Sequence, residues 1–89
     1  MTDPSLIETE LRAVLRDCLG LPQHRVDAFD ADTGLFGHLP ELDSMAVATL
    51  LTEMEDRLAI TIEDDEIDGE MLESFGALLA FVTAKRQAG

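Results

Sequence analysis

The chain has 89 residues, of which 46% are apolar, enough for the compact core of one small domain (residues 1–89) and too many for a disordered tail. Six basic and nineteen acidic residues give a net charge of −13, which argues against nucleic acid or an anionic membrane as a partner and favours a partner with a basic patch. The single cysteine excludes an intrachain disulfide and a cysteine-based zinc site.

The first predicted element is a helix over residues 4–19, in which apolar side chains recur on one face at helical spacing. Asp3-Pro4 is typical of a helix start, and Gly20 is typical of a position just beyond a helix end. Cys18 lies on the apolar face, so we expect it to pack in the core.

A long ordered loop is predicted over residues 23–42, because this stretch contains two glycines and a proline and has no sustained hydrophobic period. Structureless loops of this length are uncommon in small domains and are more often functional than idle. Apolar side chains would anchor the loop to the core: Val26, Phe29, Leu35, Phe36, Leu39 and Leu42.

A second helix is predicted over residues 44–58, where the apolar residues again follow a helical period. They are Val47, Leu50, Leu51, Met54 and Leu58. Asp43 and Ser44 both have side chains that favour the N-cap position, so either residue could cap this helix.

The remaining elements are a short acidic third helix over residues 65–70 and a last helix over residues 74–86. Ser74 is the predicted N-cap of the last helix, and Lys85 and Arg86 would lie at its negative C-terminal end. The sequence therefore predicts an all-α fold, a small four-helix bundle with a long first loop and a short third helix.

The N-terminal segment does not have the pattern of a signal peptide, which needs a basic region followed by a long apolar stretch. No run of residues approaches the roughly 18 apolar residues that would span a bilayer. We therefore expect a cytoplasmic protein without membrane insertion, and the strong negative charge makes a monomer the expected state.

Ser44 is the candidate functional residue, because it lies where the long loop meets the start of the second helix. Free backbone N–H groups and partial positive charge at a helix start favour an attached phosphodiester. An Asp-Ser pair at such a position more often serves only to cap the helix, so the pair by itself favours a structural role.

Several features occur together with this pair. They are the Leu42-Asp43-Ser44-Met45 motif, the apolar ladder of the following helix, the Ile60-Thr61-Ile62-Glu63-Asp64-Asp65 segment and the Ser74-Phe75 helix start. In this combination the chain resembles the acyl carrier protein family, which includes the peptidyl and aminoacyl carrier domains. The resemblance covers nearly the whole chain and implies an acyl-carrier-type helical bundle.

The resemblance implies that the Ser44 Oγ carries a covalent 4′-phosphopantetheine, which a separate phosphopantetheinyl transferase takes from coenzyme A, with Asp43 and Met45 flanking the attachment. It implies a non-catalytic carrier that presents acyl or aminoacyl groups as thioesters. Its other partners would be acyl or aminoacyl ligases and acyl-transfer enzymes.

Three departures distinguish the sequence from carriers of general fatty acid biosynthesis. Ala46 and Thr49 stand where many of those carriers have acidic residues, and the acidic turn over residues 64–73 is long. The Phe36-Gly37-His38-Leu39-Pro40-Glu41 stretch resembles the approach to the serine in specialised carriers, including those of exosortase-type surface-polysaccharide systems. These departures favour a dedicated biosynthetic pathway.

Twelve carboxylates and one basic residue, Arg57, lie between Glu41 and Glu73. Such clustering near the attachment motif predicts docking onto basic enzyme surfaces, with effects on association rates more than on affinity. The predicted docking residues are Glu41, Glu53, Glu55 and Asp56.

Two alternatives remain open: an aminoacyl or peptidyl carrier of a nonribosomal-type pathway, and an acidic helical adaptor or divalent-ion module without a prosthetic group. Asp64-x-Glu66-x-Asp68-Gly69 imitates the first half of an EF-hand calcium loop, but the acid required at the twelfth position falls on Phe75. No metal site is therefore predicted.

His24 and His38 lie fourteen residues apart without a third ligand at helical spacing, which is a poor zinc motif. A Ser44-His38-Asp43 hydrolase triad is not expected, because neighbouring residues do not easily line up in relay order and no Gly-x-Ser-x-Gly turn is present. Both histidines are predicted to lie on the surface.

Overall fold

The computed structural model describes residues 4–88, with side chains described for residues 6–87. The predicted helix start at Asp3 lies outside the described residues. Four α-helices and one turn of 3-10 helix follow along the chain: α1 (Pro4–Leu19), α2 (Gln23–Asp27), α3 (Ser44–Leu58), the 3-10 turn (Asp64–Glu66) and α4 (Phe75–Ala88). The predicted all-α bundle is confirmed, and no helix of the described residues is long and apolar enough to cross a membrane.

Helix α1 is the centre of the bundle and contacts α2, α3 and α4. The apolar faces predicted from the helical period meet in one core, whose fully buried members include Leu11 and Leu15 of α1, Leu50 and Met54 of α3, and Leu78 of α4. Burial of these faces is the main force that assembles the helices.

Cys18 is half-buried and packs against the core. Its burial, followed by the nearby Glu53 carboxylate, raises the pKa of the thiol. The thiol is therefore a packing group in its protonated form at neutral pH.

The stretch predicted to be loop from residue 23 to 42 begins with a helix instead. Helix α2 starts after Pro22, and a side-chain hydrogen bond of 2.8 Å from Gln23 to Asp27 joins its two ends. The prediction was wrong here because a helix of five residues with one buried apolar side chain, Val26, is too short to show a hydrophobic period.

The third helix is shorter than the predicted 65–70. It is a single 3-10 turn, in which the Glu66 carboxylate accepts a hydrogen bond of 3.0 Å from the Glu63 N–H and forms an ion pair with Lys85 of α4. The backbone leaves the helical conformation at Ile67, because closely spaced carboxylates repel one another and no apolar face is available for further turns.

Backbone hydrogen bonds tie the segment after α2 to the segment before α4. The N–H groups of Leu35 and Phe36 donate to the carbonyls of Glu73 (3.1 Å) and Leu72 (2.9 Å). The N–H of Phe75 donates in turn to the Thr33 carbonyl at 2.8 Å. These bonds place residues 36–42 of the loop beside residues 67–72, at the end of the bundle where α3 begins.

Candidate functional site

Asp43 is the N-cap of α3. Its carboxylate accepts a hydrogen bond of 2.8 Å from the Ala46 N–H, and its carbonyl accepts one of 2.9 Å from the Val47 N–H. Of the two residues that the sequence left open as the cap, Asp43 therefore has this role. Ser44, the first residue of α3, is exposed and is not needed to cap the helix.

The Ser44 hydroxyl has no hydrogen-bond partner among residues 6–87. Ser74 precedes α4 as Asp43 precedes α3, and its Oγ accepts a hydrogen bond of 3.1 Å from the Ala77 N–H. Two serines at helix starts thus have different roles in one chain: Ser74 stabilises its helix, and Ser44 presents an unused hydroxyl to solvent.

Two open cavities meet at Ser44. The larger, about 510 Å³, is formed by the loop and the start of α3 and is lined by Phe36, Gly37, His38, Leu39, Pro40, Leu42, Asp43 and Ser44. The smaller, about 240 Å³, lies between α3 and residues 67–72 and is lined by Phe36, Ser44, Val47, Ile67, Asp68, Gly69 and Leu72. The larger is bounded by polar and apolar groups alike, and the smaller is mainly apolar.

Exposed apolar side chains surround the serine. Met45 is 82% exposed, Phe36 45% and Ile67 38%, and these are three of the four large apolar side chains that are exposed in the described part of the chain. Apolar groups concentrated at one point of a strongly charged surface indicate a site of contact with another molecule.

His38 is one of the residues that line the larger cavity. The imidazole packs against the backbone of Gly34, so closely that a Cβ on Gly34 would lie 2.8 Å from the His38 Cβ and nearer still to the ring. No hydrogen bond links His38 to Ser44 or Asp43 within residues 6–87, and the Asp43 carboxylate is already bound to the Ala46 N–H. The groups of a hydrolase triad are therefore not in relay geometry.

Two of the four predicted docking acids are engaged within the chain. Glu41 forms an ion pair of 2.7 Å with Arg25 of α2, and this hydrogen bond, followed by one from its own backbone, lowers the pKa of the Glu41 carboxyl. The Glu55 carboxylate accepts a hydrogen bond of 2.9 Å from the Ile62 N–H. Glu53 is half-buried, whereas Asp56 is exposed.

The acids of the EF-hand-like segment also have structural roles. Glu66 pairs with Lys85, and the Asp68 carboxylate accepts a hydrogen bond of 2.9 Å from the Met71 N–H. No group of three or more potential ligand side chains in the described residues is arranged to hold a metal ion. His24 lies on α2, away from both cavities.

Some residues of the site carry no signal in the sequence. Ile67 and Gly69 line the smaller cavity, and Arg25 holds Glu41 across sixteen positions of the chain. These residues are brought to the start of α3 by tertiary packing, so no spacing rule could have found them.

Comparisons with family models and with solved structures both gave matches. A family model described as a phosphopantetheine attachment site matches residues 9–82. The chain is also similar to the solution NMR structure of a holo acyl carrier protein from Nitrosomonas europaea, with 34% sequence identity and a TM-score of 0.78, over 93% of this chain and 96% of that one. No curated protein matches the chain.

Proposed function

Because this chain belongs to the acyl carrier protein family, and is thus a non-catalytic carrier with a covalently attached 4′-phosphopantetheine, we propose that this group is attached to the Ser44 hydroxyl. The observation that carries the proposal is the free, exposed Oγ at the start of a helix that Asp43 already caps. Attachment there takes no hydrogen bond away from the fold.

The surroundings of Ser44 fit such a group. The first N–H groups of α3 have no partners within the helix and, with the helix dipole, favour a negatively charged phosphodiester at this point. Open space lies on both sides of the serine, so an attached chain meets no steric barrier.

The prosthetic group supplies a terminal thiol, on which acyl groups are carried as thioesters. The protein contributes a rigid point of attachment, since α3 is fixed to α1 through the buried side chains of Leu50, Met54 and Leu58. A tethered cargo on a rigid base reaches a high effective concentration at the active site of a docked enzyme.

We also propose that the smaller cavity receives the apolar part of the arm or its cargo. Val47, Ile67 and Leu72 provide apolar walls next to Ser44. Such walls favour an acyl group over a charged aminoacyl group, because a buried charge without a partner is costly. The departures from carriers of general fatty acid biosynthesis support a dedicated pathway for this cargo.

The attachment is tested by loading the wild-type protein with a phosphopantetheinyl transferase and coenzyme A. We expect the intact mass to increase by one phosphopantetheinyl group, and peptide mapping to place it on Ser44. A modification on a different residue, or an unmodified protein after incubation with several competent transferases, would overturn the assignment.

The partners of the carrier, including the transferase, are proposed to approach along the exposed side of α3 and to contact Met45 in its first turn and Asp56 in its last turn. Met45 is the most exposed of the large apolar side chains, and Asp56 is the one exposed acid of the four predicted docking residues. A substitution of Glu55 would not test this surface alone, because it would also remove the hydrogen bond that the Glu55 carboxylate accepts from the Ile62 N–H.

Asp56→Lys is expected to reduce the kcat/KM of loading by the transferase about 3- to 10-fold at low salt, since charge complementarity acts mainly on association rates. The matched control is Asp32→Lys, which changes the net charge equally at an exposed loop position outside α3 and should reduce kcat/KM by less than about 2-fold. Equal effects of the two variants would show that general charge, and not this surface, governs the encounter.

A further inference from the structure

The larger cavity beside Ser44 contains one side chain that can become positively charged, the imidazole of His38. Within residues 6–87 this imidazole has no hydrogen bond or ion pair. A phosphodiester on Ser44 would place a negative charge at the rim of the same cavity. His38 therefore supplies an unpaired imidazole, which becomes a cation on protonation, to the same cavity in which an anion is expected.

The position of His38 is constrained by the backbone. The backbone N–H of His38 donates a hydrogen bond of 3.0 Å to the Leu35 carbonyl. The preceding residue, Gly37, has a φ of 87°, in the left-handed region that favours glycine. The absence of a side chain on Gly34 lets the ring lie against the backbone. The imidazole is thus held at the wall of the cavity although it is exposed to solvent.

The other charged groups at this end of the molecule already have partners or lie elsewhere. The Asp43 carboxylate caps α3, and Arg25 is paired with Glu41. Asp68 lines the smaller cavity, where its carboxylate is bound to the Met71 N–H. Of the basic side chains in the described part of the chain, Arg25 is paired with Glu41, whereas the His38 imidazole in the larger cavity forms no ion pair.

We propose that the protonated His38 imidazole contacts the phosphodiester on Ser44 and orients the first part of the arm along the larger cavity. His38 is then a positioning residue, and this role depends on the attachment proposed above. Because the contact favours the charged imidazole, attachment raises the pKa of His38. By linkage, protonation of His38 favours the contact between the imidazole and the phosphodiester by the same coupling free energy.

The test compares the apo and holo forms, with attachment to Ser44 confirmed by intact mass and peptide mapping. NMR titration of the two histidines between about pH 5 and 8 reports each imidazole separately. We expect the midpoint of the His38 titration to lie at higher pH in the holo form than in the apo form, because the added phosphodiester favours the charged imidazole. The pKa of His24, on α2, should stay the same in both forms.

Two variants sharpen the test. In the wild-type holo protein the ³¹P chemical shift of the phosphodiester should follow the titration of His38, whereas in holo His38→Gln it should be independent of pH over this range. Gly34→Ala keeps the charge but displaces the ring, so it should reduce the increase in the His38 pKa.

The outcomes separate the two proposals. If Ser44 is modified and His38 has the same pKa in both forms, or if both histidines change equally, the contact is overturned and the attachment stands. If the group is found on a residue other than Ser44, both proposals fail.

Discussion

Replacing Ser44 with alanine is expected to abolish attachment of the prosthetic group and to leave the fold intact. The hydroxyl has no hydrogen bond in the part of the chain that the structure describes, and Asp43 caps α3 without it. Intact mass after incubation with a transferase should therefore show apo protein alone. Urea denaturation should give a free energy of unfolding within about 0.5 kcal/mol of the wild-type value, as for other surface substitutions.

Ser74→Ala is the matched control, because it removes a serine hydroxyl at another helix start. Its Oγ accepts the hydrogen bond from the Ala77 N–H, so its loss should lower the free energy of unfolding by about 1 kcal/mol while loading remains complete. The pair of variants separates the two roles of serine. Loading of Ser44→Ala, or its unfolding under conditions where Ser74→Ala is folded, would contradict the attachment site.

Arg12→Met is expected to lower the free energy of unfolding by about 3 kcal/mol, since it removes donors from two carbonyls at once. The Arg12 guanidinium donates to the Val26 carbonyl and, at 2.8 Å, to the Phe29 carbonyl. It also forms an ion pair of 3.2 Å with Glu8 and lies 4.6 Å from the centroid of the Phe75 ring. The side chain is 17% exposed, so water replaces these contacts poorly.

Arg16→Met, one turn further along α1, controls for the loss of a positive charge. The Arg16 side chain is 36% exposed, more than that of Arg12, and bonds to Asp17 and Gln23. Asp17 retains its ion pair with Arg57 in the variant. Its urea midpoint should therefore remain close to that of the wild type. A similar loss of stability in both variants would show that net charge, and not the contacts of Arg12, stabilises α2 and the residues after it.

The three long helices could be predicted from the sequence, because a stripe of apolar residues at helical spacing over about four turns fits few other secondary structures. Helices α1 and α3 have the predicted bounds, whereas α4 begins one residue later and extends to Ala88. Helix α2 and the 3-10 turn could not be predicted in the same way. Their conformations depend on side chains from other helices. Arg12 of α1 donates to the Val26 carbonyl near the end of α2, and Lys85 of α4 pairs with Glu66 of the 3-10 turn.

The sequence identified the motif around Ser44 but could not assign the cap, because Asp and Ser favour the N-cap almost equally. The hydrogen bond from the Ala46 N–H to the Asp43 carboxylate identifies Asp43 as the N-cap of α3. Counting carboxylates likewise could not show which acids are free for partners. Arg25 and the Ile62 N–H, which occupy Glu41 and Glu55, come from other parts of the chain.

The backbone bond from Phe36 to Leu72 bears on the size of the cargo that the smaller cavity is proposed to receive. That bond joins two walls of the smaller cavity, and the third wall, on α3, is fixed by the core. Any widening must therefore come from Ile67, Asp68 and Gly69, which are exposed and lie outside every helix. Under the proposed use of this cavity, the distance that this one short segment can move would set the upper size limit of what fits beside α3.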